Sequence, residues 1–403
     1  MYPDWPKSTA DLVPLPYCDG PKLKPFPFQG PQRIKFLDYL GEGSHAHVFK
    51  TEINGNIYAL KLFRFCREDI WGPPINAKRD DRKAMATFYN YTEPFNSECR
   101  AFGRLQEAGY EELAIKCFGY LLLDEEYERA MMNQFGSRSI SFWDIDNTGD
   151  SDEDMRSIFS GKNGRAPPIR GIVKEFGPTI KDMQEKDVKR IHQNIISLHQ
   201  LGITGLDIAD RQLINGKLSD LSTAITTPHF VTTPDLNPDL TPESTCAMEL
   251  ELFRIAKEDY HDIDAMVRLW NDEHRKGERP IQFRSFSDAN YSPSNCNKRL
   301  RDLSSRRRVY TYVDPRRYDW RASSIGLGQG LQSEQKSGRK ATESGHGKPR
   351  VGVSKTIQLK TKPSWWYYDC NDKTAARLKN PGYSYSLVWE LKAGVIFPQK
   401  RKR

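Results

Sequence analysis

The stretch LHQLGITGLDIADRQLINGKLSDLSTA, residues 198–224, decides the fold. Its first residues continue a helical pattern that ends at Gly202, because glycine adopts the left-handed conformation of a helix C-terminus without strain. A loop then presents Asp207, an Asn-Gly pair at 215–216 predicts a tight hairpin turn, and Asp220 follows in Asp-Leu-Ser. Two aspartates near turns are individually unremarkable, so their role depends on the motifs that precede them in the chain.

A glycine-rich turn lies upstream, between two segments with the alternating pattern of β-strands. It reads GEGSHAHV over residues 41–48. Gly41 and Gly43 allow the backbone to approach a phosphate closely, and Val48 is placed to cover a base. Ala46 stands at the position of a third glycine, and a Gly-x-Gly hairpin is also typical of an ordinary turn.

The next strand carries a lysine inside an apolar run, at Tyr58-Ala59-Leu60-Lys61. In such a strand the small residue Ala59 faces a nucleotide and the lysine holds its phosphates. An unpaired ammonium is costly in apolar surroundings, so Lys61 requires a buried anionic partner. The helical pattern at 95–108 offers Glu98 as that partner.

The order of glycine-rich turn, lysine, glutamate and two aspartates resembles that of protein kinases. We therefore predict an α+β, two-lobed protein-kinase-like fold with disordered insertions and a basic C-terminal tail. The expected catalytic residues are Asp207, Lys61 and Glu98. The expected ATP-binding residues are Gly41, Gly43, Val48, Ala59 and Lys61. The expected ligands of Mg²⁺ are Asp220 and Gln212.

Several positions depart from the pattern of active kinases. Gly205-Leu206 replaces the His-Arg pair before the first aspartate, and Ala209 stands where many protein kinases have lysine. Gln212 replaces a metal-binding asparagine, and Leu221-Ser222 replaces Phe-Gly. These changes predict weak binding of ATP and Mg²⁺ with turnover near background. Because the four minimal groups remain, an active ATP-dependent protein or small-molecule kinase is the alternative.

Three runs carry a more specific resemblance: GPKLKPFPFQGPQRIKFLDYLGEGSHAHVFKTEINGNIYALKLFRF, EPFNSECRAFGRL and GLDIADRQLINGKLSDLS. They resemble the fungal kinetochore Sim-four complex subunit family, a divergent branch of protein-kinase-like proteins. The resemblance covers about residues 20–270. It implies a pseudokinase-type interaction module in the nucleus, at the centromere, whose partners are the other protein subunits of a kinetochore assembly.

Charge is distributed unevenly along the 403 residues. From Lys298 to Arg403 there are 25 Lys and Arg against 8 Asp and Glu, a net charge of +17, whereas the remainder of the chain carries −9. A basic tail is typical of a segment that contacts nucleic acid, an acidic partner or an import receptor. The terminal PQKRKR at 398–403 predicts nuclear import. No stretch approaches the length of a membrane span, so no membrane partner is expected.

Composition divides the chain into five segments. They are a Pro-rich leader at 1–32, an N-lobe at 33–176 with inserted loops at 66–94 and 125–168, a C-lobe at 177–322, a flexible linker at 323–356 and an aromatic and basic tail at 357–403. Proline disfavours helix, so the leader is expected to be extended, with ordered structure beginning near Arg33. The acidic and Gly-rich second insertion is expected to be disordered. Docking of the aromatic tail onto the body is left open.

Overall fold

The structure, a computed structural model, describes a large part of the chain. The described residues are 1–67, 75–76, 81–138, 140–142, 155–158, 160–161, 164–237, 240–275, 277, 279–283, 285, 308–311, 313–322, 359, 362–363, 366–369, 387–392 and 395–400. The predicted linker at 323–356 lies outside these residues.

A five-stranded antiparallel sheet organises the first half of the protein. The strands of this half are β1 (Ile34–Glu42), β2 (Ala46–Ile53), β3 (Asn56–Phe63), β4 (Ile75–Asn76), β5 (Cys117–Leu122) and β6 (Arg170–Glu175). The sheet has the order β1-β2-β3-β6-β5. Strands β2 and β3 are joined by a tight Asn-Gly hairpin turn, in which Asn54 and Gly55 have φ angles of 51° and 76°.

Two helices lie beside the sheet, α1 (Arg82–Thr92) and α2 (Pro94–Ala108). Helix α2 begins where the Glu93 carboxylate accepts a hydrogen bond from the Asn96 backbone N–H, and it ends at Gly109, whose φ is 72°. Every residue of α2 from Pro94 to Leu105 is buried. The helix is therefore enclosed on all sides, and its position is fixed by packing.

The N-terminal leader is one of the segments that enclose α2. Leu15 and Leu23 are 2% and 0% exposed, and the Phe26 backbone N–H donates to the Tyr120 carbonyl at 2.7 Å, so the leader covers the free edge of β5. The leader contains one short 3-10 helix, Thr9–Asp11. The prediction that ordered structure begins near Arg33 is wrong, because the apolar residues between the prolines belong to the core.

The two insertions also contain regular structure. The first includes α1, and the second includes α3 (Glu125–Phe135) and α4 (Met155–Ile158). Met131 and Phe135 are 0% and 8% exposed, and their i, i+4 spacing places both on one face of α3. The expectation of disorder is therefore wrong for these helices. The acidic run at 143–154 lies outside the described residues.

Helices and short hairpins form the second half. They are α5 (Glu185–Gln200), β7 (Ile203–Thr204), β8 (Leu213–Ile214), β9 (Lys217–Leu218), β10 (Ile225–Thr226) and α6 (Pro242–His274). The predicted helix end is confirmed by Gly202, with φ 74°, and the predicted hairpin by Asn215 and Gly216, with φ 52° and 71°. The protein is thus a mixed α and β structure, as expected.

The C-terminal part of the chain adds β11 (Arg308–Thr311), and the tail adds β12 (Trp366–Asp369), β13 (Leu387–Lys392) and β14 (Val395–Lys400). Strands β13 and β14 form an antiparallel hairpin, and β13 pairs in parallel with β4. The tail therefore docks onto the first insertion. Among the described residues, no helix has both the length and the apolar character needed to cross a membrane.

Candidate functional site

The predicted ion pair between strand β3 and helix α2 is confirmed. Lys61 Nζ lies 2.8 Å from Glu98 Oε2, and the two side chains are 4% and 0% exposed. Strand β3 places the lysine on the face of the sheet that meets α2, and the enclosed helix fixes the carboxylate. The catalytic roles assigned to the two residues stay predictions.

A second lysine shares the same glutamate. Lys174 Nζ, on β6, donates to Glu98 Oε1 at 2.7 Å and to the Ser219 carbonyl at 2.6 Å. Lys174 is 5% exposed. Lys174 is not among the residues predicted from the sequence, although GIVKEF carries the same signal as the Lys61 strand, a lysine inside an apolar run.

Asp220 completes the charged cluster. Its Oδ1 lies 2.7 Å from Lys61 Nζ and accepts the Ser222 backbone N–H at 2.9 Å. Burial alone raises the pKa of the Asp220 carboxyl, but the charges of Lys61 and Lys174 and the hydrogen bonds from Lys61 and Ser222 hold that pKa well below its usual range. Two lysines therefore face two carboxylates, and the charges of the four groups cancel. We refer to Lys61, Glu98, Lys174 and Asp220 as the charged cluster.

The predicted nucleotide-binding residues lie on the same part of the sheet. Val48 pairs with Lys61, and Ala59 pairs with Lys174, so alternation along the strands places these side chains on one face. Gly41 has φ 142°, a conformation that favours glycine, and the Gly43 N–H donates to Ala46 O at 2.9 Å to close the turn.

The glycine-rich turn reaches across to the segment after Asp220. His45 Nδ1 lies 3.1 Å from Ser222 Oγ. Burial, followed by the charge of Lys61, lowers the pKa of His45 to about 4. The imidazole is therefore neutral at pH 7 and joins the turn to Ser222 by an uncharged hydrogen bond.

Asp207 and Gln212 lie together on the loop before the hairpin. The Asp207 backbone has φ 45°, and its carboxylate is 57% exposed. Gln212 Nε2 donates to Asp207 Oδ2 at 3.2 Å, whereas Gln212 Oε1 is buried and has no hydrogen-bond partner. A buried amide oxygen without a donor is a polar group that lacks a partner, and the predicted metal-binding role of Gln212 stays a prediction.

Asp259 of helix α6 holds the loop that carries Asp207, and sequence reasoning missed it. Its carboxylate accepts the backbone N–H groups of Gly205 at 2.9 Å and Leu206 at 2.7 Å. It also contacts His199 Nε2 at 2.7 Å and accepts from Thr204 Oγ1 at 3.0 Å. One buried carboxylate thus joins α5, α6 and the Asp207 loop. An aspartate within the apolar pattern of α6 was the only signal in the sequence.

The segment after Asp220 is buried instead of forming an exposed loop. Seven residues of this segment are between 1% and 7% exposed: His229, Phe230, Val231 and the threonines at 226, 227, 232 and 233. Arg100 donates to the carbonyls of Thr226 and Pro228, and Arg104 donates to that of Thr227. Tyr91 of helix α1 makes an edge-to-face ring contact with His229. The segment is therefore clamped between α1 and α2.

A comparison with protein families decides the assignment. A family model described as Kinetochore Sim4 complex subunit FTA2 matches residues 12–225, which is more than half of the chain. The chain belongs to this family. The match begins in the leader and includes the sheet, both lysines of the charged cluster, Glu98 and both loop aspartates. No curated protein matches the chain.

The residues of this family member do not fit Mg²⁺ and ATP as they are arranged. Asp220 bonds directly to Lys61, so its carboxylate is engaged by a cation from the chain. Lys174 adds a second ammonium where the kinase-like motifs place only one. Among the described residues, no group of three or more His, Cys, Asp or Glu side chains is arranged to hold a metal ion. The nucleotide and metal roles of these residues stay predictions.

The carboxyl of Asp262, beside the Asp207 loop, makes the stability of the fold depend on pH. Burial, then the charges of Asp259 and Glu258, with a smaller effect of Asp207, raise the pKa of Asp262 to about 7, although the Ile208 backbone N–H opposes this shift. The folded protein therefore binds more protons than the unfolded chain between about pH 4 and 7. The stability contributed by protonated Asp262 is fully present below about pH 4 and is lost as pH rises through 7.

We expect Asp262→Asn to stabilise the fold at pH 8 by about 1–2 kcal/mol, because each pKa unit corresponds to about 1.4 kcal/mol and solvent screening reduces the effect at a partly exposed group. Thermal midpoints measured from pH 5 to 8 should fall less steeply for the variant than for the parent. Asp272→Asn, an exposed change on the same helix, serves as the control. Parallel pH profiles for the parent and Asp262→Asn would contradict the prediction.

Proposed function

We propose that the protein is a catalytically impaired, protein-kinase-like interaction module that acts as a nuclear subunit of a kinetochore complex. The family membership supports the kinetochore role. The sheet order and the Lys61–Glu98 pair support the kinase-like relationship. The observation that carries the loss of catalysis is the burial of residues 226–233.

An active protein kinase orders the segment after its metal-binding aspartate so that the site is open to substrate. Here Thr226, Thr227 and His229 are 1%, 2% and 2% exposed. Arg100 and Arg104 bind the carbonyls of this segment from a fully buried helix. Its threonines are therefore inaccessible to a modifying enzyme, and the segment offers no surface for a peptide substrate.

The chemistry of the Asp207 loop supports the same proposal. Leu206 is fully buried, and its backbone N–H bonds to Asp259, so this position holds the loop and presents no positive charge. Ala209 likewise supplies none. Phosphoryl transfer depends on positioning and on stabilising negative charge, so the loss of several such groups costs roughly a thousandfold or more in rate.

The partners follow from the proposed role. They are other protein subunits of the assembly, and contact of the basic tail with nucleic acid is a further part of the proposal. The net charge of +17 between Lys298 and Arg403 supports that contact and nuclear import. Part of the import sequence, residues 398–400, belongs to strand β14, so deleting the sequence would also shorten that strand. Replacing residues 401–403 with serine therefore tests nuclear import more directly.

An active ATP-dependent kinase is the second candidate, favoured by the intact Lys61–Glu98 pair and the exposed Asp207 carboxylate. The purified full chain, incubated with Mg²⁺, ATP and a mixture of proteins, decides between the two. We expect phosphate transfer at background, equal in the parent and in Asp207→Asn. Both forms, carrying a fluorescent tag, should localise to centromeres and co-purify with the same kinetochore subunits.

Two results would overturn the proposal. ATP-dependent phosphorylation that Asp207→Asn abolishes would establish the enzyme. Absence of the tagged parent from centromeres, with no kinetochore subunit in the purified material, would remove the kinetochore role.

A further inference from the structure

Lys174 gives the cleft beneath the sheet its own cation. We propose that Lys174 is an internal counter-ion that takes the electrostatic role of Mg²⁺, so the charged cluster is balanced without a metal ion or a metal-bound nucleotide. This inference rests on the proposed kinase-like function and names the feature that makes the cleft independent of nucleotide.

The position of Lys174 suits this role. It lies on β6 opposite Ala59 of β3, the small residue predicted to face a nucleotide. From there its ammonium reaches Glu98 on α2 and the Ser219 carbonyl, the residue before Asp220. A single side chain therefore joins the sheet, the enclosed helix and the aspartate loop.

Charge balance gives the reason for the counter-ion. Lys61 and Glu98 cancel, which leaves the negative charge of Asp220 for a metal ion in a kinase-like site. Lys174 supplies the missing positive charge, so the charged cluster is neutral. A Mg²⁺ ion entering this cluster would add positive charge to a site that is already balanced.

Contacts at both ends of the cleft agree with a closed state. The glycine-rich turn bonds to Ser222 through His45 at 3.1 Å. At the other end, Lys50 Nζ of β2 lies 5.0 Å from the centre of the Phe176 ring, just after β6.

The test measures the thermal midpoint of the full-length protein with MgCl₂ alone, ATP with EDTA, and both ligands together. We expect no shift for the parent under any condition. Lys174→Met leaves the cluster with a net negative charge, so its midpoint should be lower without ligand and should rise by about 3 °C or more with millimolar Mg²⁺ and ATP together. Lys174→Arg keeps the charge and should show no rise, and Lys181→Met, at an exposed lysine, should behave like the parent.

A Mg²⁺-dependent rise in the parent would overturn the proposal, even if Lys174→Met fails to fold. A folded Lys174→Met protein without any rise would also overturn it. The two proposals can fail separately, because nucleotide binding by the parent without phosphate transfer contradicts only the counter-ion, whereas phosphate transfer contradicts the proposed function.

Discussion

Replacing Asp259 by alanine should lower the free energy of unfolding by about 4 kcal/mol or more. The side chain is 1% exposed, and its two oxygens accept the backbone N–H groups of Gly205 and Leu206. It also accepts from Thr204 Oγ1 and contacts His199 Nε2. Each buried donor left without a partner costs about 1–3 kcal/mol, so losing several at once lies at the upper end of single-residue effects.

Urea denaturation followed by tryptophan fluorescence measures this loss. Asp272→Ala is the matched control, since it removes an exposed aspartate from the same helix and should change stability by less than about 0.5 kcal/mol. Asp259→Asn should lie between the two, because an amide keeps one acceptor oxygen but places an N–H₂ group among the donors. A loss below about 1 kcal/mol for Asp259→Ala would show that the Asp207 loop does not depend on this carboxylate.

The parts of the fold that were predictable from the sequence have strong local signals. The Asn-Gly hairpins depend on two residues that adopt positive φ, and the amphipathic helices depend on a regular apolar spacing. The Lys61–Glu98 pair was predictable as well, because a lysine in an apolar strand needs an anion and the next helix offered one.

The parts that were missed depend on contacts between distant residues. The leader looks like an extended linker until Leu23 is seen beneath the sheet edge, 0% exposed. Lys174 is not recognisable as a partner of Glu98, because their separation along the chain hides the fact that β6 lies beside β3. Asp259 follows the Asp207 loop by more than fifty residues, so no local pattern joins them. Tertiary packing determines the contacts of such residues, and the strand or helix propensity of a residue carries no information about those contacts.

Replacing Glu98 by glutamine should lower the free energy of unfolding by about 3–5 kcal/mol, although the side chain hardly changes in size. Each carboxylate oxygen receives a different lysine, Lys61 at Oε2 and Lys174 at Oε1. Glutamine offers one acceptor oxygen and turns an N–H₂ donor toward the other ammonium. Lys61 keeps Asp220 as a counter-charge, so the uncompensated buried charge falls on Lys174.

An uncompensated buried charge causes the loss of stability in Glu98→Gln, so restoring neutrality should restore stability. We expect the double variant Glu98→Gln with Lys174→Met to recover most of the loss, because Lys61 and Asp220 then balance each other at 2.7 Å. Urea denaturation of the parent, both single variants and the double variant gives the coupling energy between Glu98 and Lys174, which should exceed about 2 kcal/mol. Glu126→Gln, an exposed change on α3, controls for the substitution itself. Additive losses in the double variant would show that packing of the glutamate, rather than its shared negative charge, holds the two lysines in the core.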